Sequence, residues 1–224
     1  MNDDVKLFDV VEVADQQELP AGTFSSWLGR TRAALAGENG SEVPCGDCTA
    51  CCRSSYFIHI RPEETETLAR IPEELLFAAP GQPEGTVLLG YDEQGCCPML
   101  VDDKCTIYRH RPMTCRSYDC RVFTAAGISA DDKALITRHT QRWKFDYAGV
   151  RDRRQHLAVQ RAAKFLSDHA KSFTGKFPGN PTQLAILAIE VHDVFLRCDD
   201  ATETQPVVLE VVSAVNELLE QTRD

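Results

Sequence analysis

Four cysteines stand within eight residues, in the run Cys45-Gly-Asp-Cys48-Thr-Ala-Cys51-Cys52. An ordinary core has no use for that density of thiols, and ionised thiols so close together repel unless a cation holds them. Nine of the ten cysteines fall between Cys45 and Cys120. A disulfide framework suits short exported chains. This chain has 224 residues and opens Met-Asn-Asp-Asp-Val-Lys-Leu-Phe, without the charged-then-apolar pattern of an export signal. No stretch nears the roughly 18 apolar residues that span a bilayer. The expectation is a cytoplasmic protein without membrane contact, whose clustered thiols bind metal. Cys198 is read apart, as a small hydrophobe in an apolar helical pattern.

The remaining composition is globular, 43% hydrophobic and 26% charged, which excludes wholesale disorder. The net charge of −10 is unevenly spread. Residues 104–176 carry 16 Lys and Arg against 6 Asp and Glu, a balance of +10; the rest carries 8 against 28, a balance of −20. A basic middle can receive an anionic partner. No nucleic-acid motif accompanies it, so nucleic acid is not expected, and acidic segments facing basic ones or a solvated helix face account for the asymmetry.

Periodicity gives the outline. Leu7–Val13 reads as an edge strand. Phe24–Ala36 reads as a helix with Trp27, Leu28, Thr31, Ala34 and Leu35 on one face, ended by Gly37 and Gly40. Tyr56–Ile60 suits a strand, and Arg61-Pro62-Glu63-Glu64 a helix start running to about Ala69. Residues 72–86, with three prolines and two glycines, read as loop after a short helical piece. The segment 87–108 suits hairpins turning at Asp92–Gly95 and Asp102–Lys104, with 109–120 as loop and turn. A long charged helical region is expected from Asp131 to about Phe173, broken near Gly149. Two amphipathic helices close the chain, one carrying Leu184, Leu187, Val191, Val194 and Phe195, the other Val208, Val211, Val215, Leu218 and Leu219.

The chemistry lies in the cysteine spacing. Cys45-x2-Cys48 lets one short turn present two sulfurs to one ion or cluster. Were the segment helical, Cys45, Cys48 and Cys52 would share about 60° of arc while Cys51 pointed about 100° from Cys52. The second half holds Cys96-Cys97-Pro98-Met99-Leu100, then Cys105-Thr-Ile-Tyr108-Arg-His-Arg-Pro112-Met-Thr-Cys115-Arg116, then Cys120. Arg109, Arg111, Arg116 and Arg121 lie among these thiols, where positive charge favours thiolate. The six histidines form no H-E-x-x-H pair, and His110 is the one worth watching. No phosphate loop, nucleophile elbow or dinucleotide fingerprint is present, and no catalytic residue can be assigned.

Cys-x2-Cys-x2-Cys-Cys, Cys-Pro-x-Leu and Cys-x-Ile-Tyr-x-x-Arg-Pro-x-x-Cys-Arg together resemble the CxxCxxCC zinc- or iron-chelating domain family, the YkgJ-like cysteine-cluster proteins. The resemblance covers residues 45–120. It implies metal ligation by Cys45, Cys48, Cys51, Cys52, Cys97, Cys105 and Cys115, framed by Ile107, Tyr108, Arg111, Pro112 and Arg116. Cys120 is an eighth candidate, and Cys96 an extra residue beside Cys97. The same domain occurs in the flagellin lysine N-methylase, so the resemblance also raises an iron–sulfur-dependent enzyme or a redox protein as the alternative.

Seven or eight thiolates suit an iron–sulfur cluster, a cluster plus a mononuclear ion, or two zinc ions, and remote single cysteines lean toward iron–sulfur ligation. The expected fold is α+β, a small cysteine-rich metal-binding core with short strands packed by N- and C-terminal helices. The expected divisions are an N-terminal segment and helix at 1–42, a cysteine-cluster domain at 43–122 and a helical region at 123–224. The expected function is metal binding, with the reaction, substrate and protein partner open.

Overall fold

The computed structural model describes residues 17–38, 43, 45–130, 133–173, 177–197 and 205–221. The Leu7–Val13 strand, Gly40, the Asp131-Asp132 helix opening and Cys198 lie outside them. The elements are mixed α+β: β1 (Leu19–Thr23), α1 (Phe24–Leu35), β2 (Ile58–Ile60), α2 (Thr65–Leu68), β3 (Leu76–Ala78), β4 (Val87–Leu89), β5 (Leu100–Val101), β6 (Lys104–Cys105), α3 (Met113–Ser117), α4 (Arg121–Ala126), α5 (Ala134–Thr140), β7 (Trp143–Asp146), α6 (Val150–Asp168), α7 (Pro181–Arg197) and α8 (Gln205–Gln221). They form two compact units. Unit 1 takes its residues from 1–32, 120–132 and 140–224, and unit 2 from 33–119 and 133–139.

Unit 1 is built on aromatic and aliphatic burial. Helix α1 buries Phe24, Trp27, Leu28 and Thr31, the spacing of one helical face. Strand β7 (Trp143–Asp146) corrects the expectation of a helical region over 131–173 broken only near Gly149, since the residues just before that break are strand. Its residues alternate strictly, with Trp143 and Phe145 buried and Lys144 and Asp146 exposed, and aromatic residues at period two outweigh a charged helical reading. β7 pairs in parallel with β1, Leu19 opposite Trp143 and Thr23 opposite Asp146. Phe24 meets the Phe145 ring at 5.0 Å and stacks on His156 at 4.4 Å. Gly149 precedes α6, and the Asp152 carboxylate accepts the backbone N–H groups of Ala148 and Ser25, at 2.6 and 3.0 Å. Hydrogen bonds from Ser25 above all hold this carboxyl below the usual range. Helix α6 buries Ala158, Val159, Ala162, Ala163 and Leu166, and α7 buries Ala185, Ala188, Ile189 and Val191. These two helices pack on each other. Small residues let such axes approach closely, and each large buried side chain contributes about 1.5–3 kcal/mol.

Unit 2 uses much shorter elements. Its main sheet is antiparallel in the order β2-β4-β3, with Ile58 and Leu76 both opposite Leu89. Strand β3 replaces part of the loop expected at 72–86, following a single 3-10 turn at Glu73–Leu75. The sheet buries Ile60 and Leu89 with Ile71, Met99 and Ile107. Strands β5 and β6 form the expected hairpin at Asp102-Asp103. Both aspartates have positive φ, 47° and 58°, the pair of values a type I′ turn requires and Asp tolerates.

Candidate metal centre

The cysteines are brought together by backbone hydrogen bonds between short segments. The Cys48 N–H donates to the Cys45 carbonyl at 2.9 Å, so Cys45–Cys48 is a turn, and a 3-10 turn at Cys51–Arg53 follows. The Cys97 N–H donates to the Cys52 carbonyl at 2.7 Å, and the Ser55 N–H to the Gly95 carbonyl at 3.0 Å. These two bonds lay the first cysteine run along the second. Asp92 shapes that second loop: its Oδ1 accepts the N–H groups of Gln94 and Cys96 at 3.0 and 2.8 Å, an Asx turn. Gly95 completes it at φ 78°, where an added Cβ would lie 2.3 Å from the Ser55 Oγ. Both the backbone conformation and the close approach exclude a side chain there.

The other two thiols come from the hairpin and α3. The Leu100 N–H donates to the Cys97 carbonyl at 2.9 Å, and Leu100 sits opposite Cys105 in the ladder. Cys97 and Cys105 both pack against the Ile60–Leu89 core. Cys115 rides on α3, which starts after Pro112. Glu64 fixes that start, its two oxygens accepting the N–H groups of Met113 at 2.6 Å and Arg61 at 3.0 Å. Thr114 ties the helix to β2 by donating its hydroxyl to the His59 carbonyl at 2.7 Å.

The electrostatics show which thiols share a neighbourhood. Burial pushes the Cys52 thiol up to about 11, helped by the charges of Cys97, Cys105, Cys48 and Cys45. Burial pushes Cys115 up to about 12, with Cys97, Cys52 and Cys105 acting in the same sense and Arg111 against them. Burial also raises Cys97. Cys45, Cys48, Cys52, Cys97, Cys105 and Cys115 therefore act on one another, and Cys96 acts on this set through Cys97. A bound cation reverses the sign of this field and favours thiolate. Among the described residues, no three His, Cys, Asp or Glu side chains stand close enough together to hold an ion as they lie. The six thiols share a region rather than a finished coordination shell, and an all-sulfur donor set fits zinc, iron or an iron–sulfur cluster.

The remaining candidates are placed differently. Cys51 is half-buried beside Cys52, its carbonyl accepting the Ser54 N–H at 3.3 Å. The Cys96 sulfur accepts from Arg53 Nη1 at 3.7 Å, and Arg53 also pairs with Asp103. Cys120 is a buried residue of unit 1, where its sulfur accepts the Trp143 indole N–H at 3.3 Å. His110 turns its Nδ1 to Glu66 Oε2 at 3.0 Å. Arg121 is buried in unit 1, donating to the Ala21 carbonyl at 3.2 Å, whereas Arg111 lies 3.8 Å over the Tyr108 ring.

The motif's framing residues thus have mechanical roles: Ile107 enters the core, Tyr108 and Arg111 stack, and Pro112 opens the helix that carries Cys115. The sequence marks Glu64 only as part of a helix start, not as the acceptor for Met113, and carries no local signal for the Arg53 contacts. Asp92 was legible as a turn former but not as the residue that shapes the Cys96-Cys97 loop. No curated protein and no solved structure matches this chain. Residues 44–141 match the family model described as "CxxCxxCC: Putative zinc- or iron-chelating domain", the family that the cysteine spacing resembles.

Proposed function

We propose that unit 2 is a metal-holding module whose ligands are drawn from Cys45, Cys48, Cys52, Cys97, Cys105 and Cys115. The convergence of thiols from separate chain segments, tied by the Cys97–Cys52 backbone hydrogen bond at 2.7 Å and the Leu100–Cys105 pairing, carries the reading. Short strands and a small apolar core leave such a unit dependent on cross-links. Thiolate ligation contributes about 10–16 kcal/mol in small zinc modules, so the metal is part of the fold. The reducing cytoplasm is the setting in which this thiol set stays competent. An iron–sulfur cluster is the finer form of the reading, favoured by the single thiols that the hairpin and α3 contribute.

The test is purification without oxygen, followed by zinc, iron and acid-labile sulfide determination on one sample. Stoichiometric metal that disappears in both Cys52→Ser and Cys115→Ser is expected. Iron with sulfide assigns a cluster, and zinc alone assigns closed thiolate sites. Full metal content in Cys52→Ser would remove the proposal.

A further inference from the structure

The two faces of the β2-β4-β3 sheet differ. The register puts Ile58, Leu89 and Leu76 on one face, with Ile60 and Val87, and these pack into the core. The opposite face carries His59, Leu88 and Phe77 across the three strands. Period two adds Phe57 and Gly90 to that face. An added Cβ on Gly90 would meet Phe77 Cε2 at 2.7 Å and Phe57 Cε1 at 3.6 Å. Gly90 is thus the floor on which two rings from flanking segments lie. Tyr91 extends the patch, its ring 5.0 Å from that of Phe57. Phe57, Phe77 and Tyr91 are nevertheless 53%, 50% and 41% exposed. Three contiguous exposed rings are unusual on a surface without a partner.

The charge around the patch says what the partner carries. Ile58, Leu89 and Leu76 mark one end of the sheet. Glu73 and Glu74 precede β3 at that end, and Asp92 and Glu93 follow β4 there; all four are exposed. Arg61 follows Ile60 at the other end. Arg53, which precedes β2, is engaged by Asp103. Unit 2 already packs cations on rings, with Lys133 5.5 Å over Tyr56 and Arg111 3.8 Å over Tyr108. Aromatic faces beside carboxylates attract guanidinium and ammonium groups by ring quadrupole and by charge.

We infer that the outer face of this sheet, centred on Phe57, Phe77 and Tyr91, docks an Arg- or Lys-rich segment of a protein partner. The probe is a fluorescein-labelled deca-arginine peptide, read by fluorescence anisotropy on the full chain at physiological salt. Saturable binding is expected, about tenfold weaker in Phe57→Ser/Phe77→Ser. Glu73→Gln/Glu74→Gln should weaken it several-fold, and Glu84→Gln, on the loop at the far end of the sheet, should leave it unchanged. If the double serine variant loses its far-ultraviolet circular dichroism, the glutamine variant decides alone. Wild-type affinity in both the aromatic and the glutamine variants, or equal weakening by Glu84→Gln and Glu73→Gln/Glu74→Gln, would reduce the binding to the attraction of an acidic chain and overturn the inference. Sedimentation that shows a wild-type dimer abolished by Phe77→Ser would overturn it too, by assigning the face to a second copy.

Discussion

Unit 1 and unit 2 reach stability by different routes. Unit 1 packs long helices through small residues and closes an aromatic cluster of Phe24, Trp27 and Phe145 with His156. Unit 2 has strands of two or three residues, helices of four to seven and a core cluster centred on Ile60, Leu89 and Ile107. Coupled thiols sit beside that core, where burial keeps them protonated. On the proposed reading, the apolar residues of unit 2 position a metal site more than they replace it. A fold of this kind should be sensitive to metal and unit 1 indifferent to it.

The largest effect expected follows metal removal. Anaerobic chelation should expose the backbone amides of residues 45–119 to hydrogen exchange while α6 and α7 stay protected. Uniform protection before and after would break the contrast. Next in size is a cavity in unit 1. Leu166 is fully buried, so Leu166→Ala should cost about 2–5 kcal/mol in urea unfolding followed by Trp27 and Trp143 fluorescence, with metal content per folded chain unchanged.

A smaller effect tests the loop that carries Cys96 and Cys97. Gly95→Ala meets both a positive φ and the Ser55 hydroxyl, whereas Gly81 has φ 75° and open space around it. Strain of this type costs about 1–3 kcal/mol. Gly95→Ala should therefore weaken metal in competition with a chromophoric chelator, and Gly81→Ala should not. Equal affinities would show that the loop does not position the site.

The smallest effect is that of pH on the metal-free chain. Unfolded thiols ionise near 9.0, but the folded unit holds Cys52 protonated to about 11 and Cys115 to about 12. Between those limits the unfolded state binds fewer protons than the folded one. The stability contributed by these thiols is fully present below pH 9.0 and is lost as the pH rises through about 11 and 12. Urea midpoints of the apoprotein taken across that window check the sign; a rising midpoint would contradict it.

The sequence carried the chemistry more plainly than the architecture. Cys45, Cys48 and Cys52 are the three that a helical repeat groups, but a turn and a 3-10 turn present them, and Cys97 and Cys105 act on Cys52 more strongly than Cys48 and Cys45 do. The Asp102-Asp103 hairpin was readable because its turn is local. Strand β7 escapes a local pattern, since Trp-Lys-Phe-Asp is four residues long and lies between charged helical segments. Its partner β1 contains Pro20 and Gly22 and pairs across more than a hundred residues, a contact no local pattern announces. Cys120 follows the cysteine run in sequence, yet its burial beside Trp143 is a tertiary fact. Glu64 has the sequence signature of a helix opener, and only the folded chain shows it fixing the start of α3.

The most direct test of the central claim is X-ray absorption at the edge of the metal bound to the anaerobically purified chain, wild type beside Cys120→Ala. Only sulfur is expected around the metal, identically in both proteins, because Cys120 belongs to the packing of unit 1. A shell dominated by nitrogen or oxygen, or one that loses a sulfur in Cys120→Ala, would contradict it.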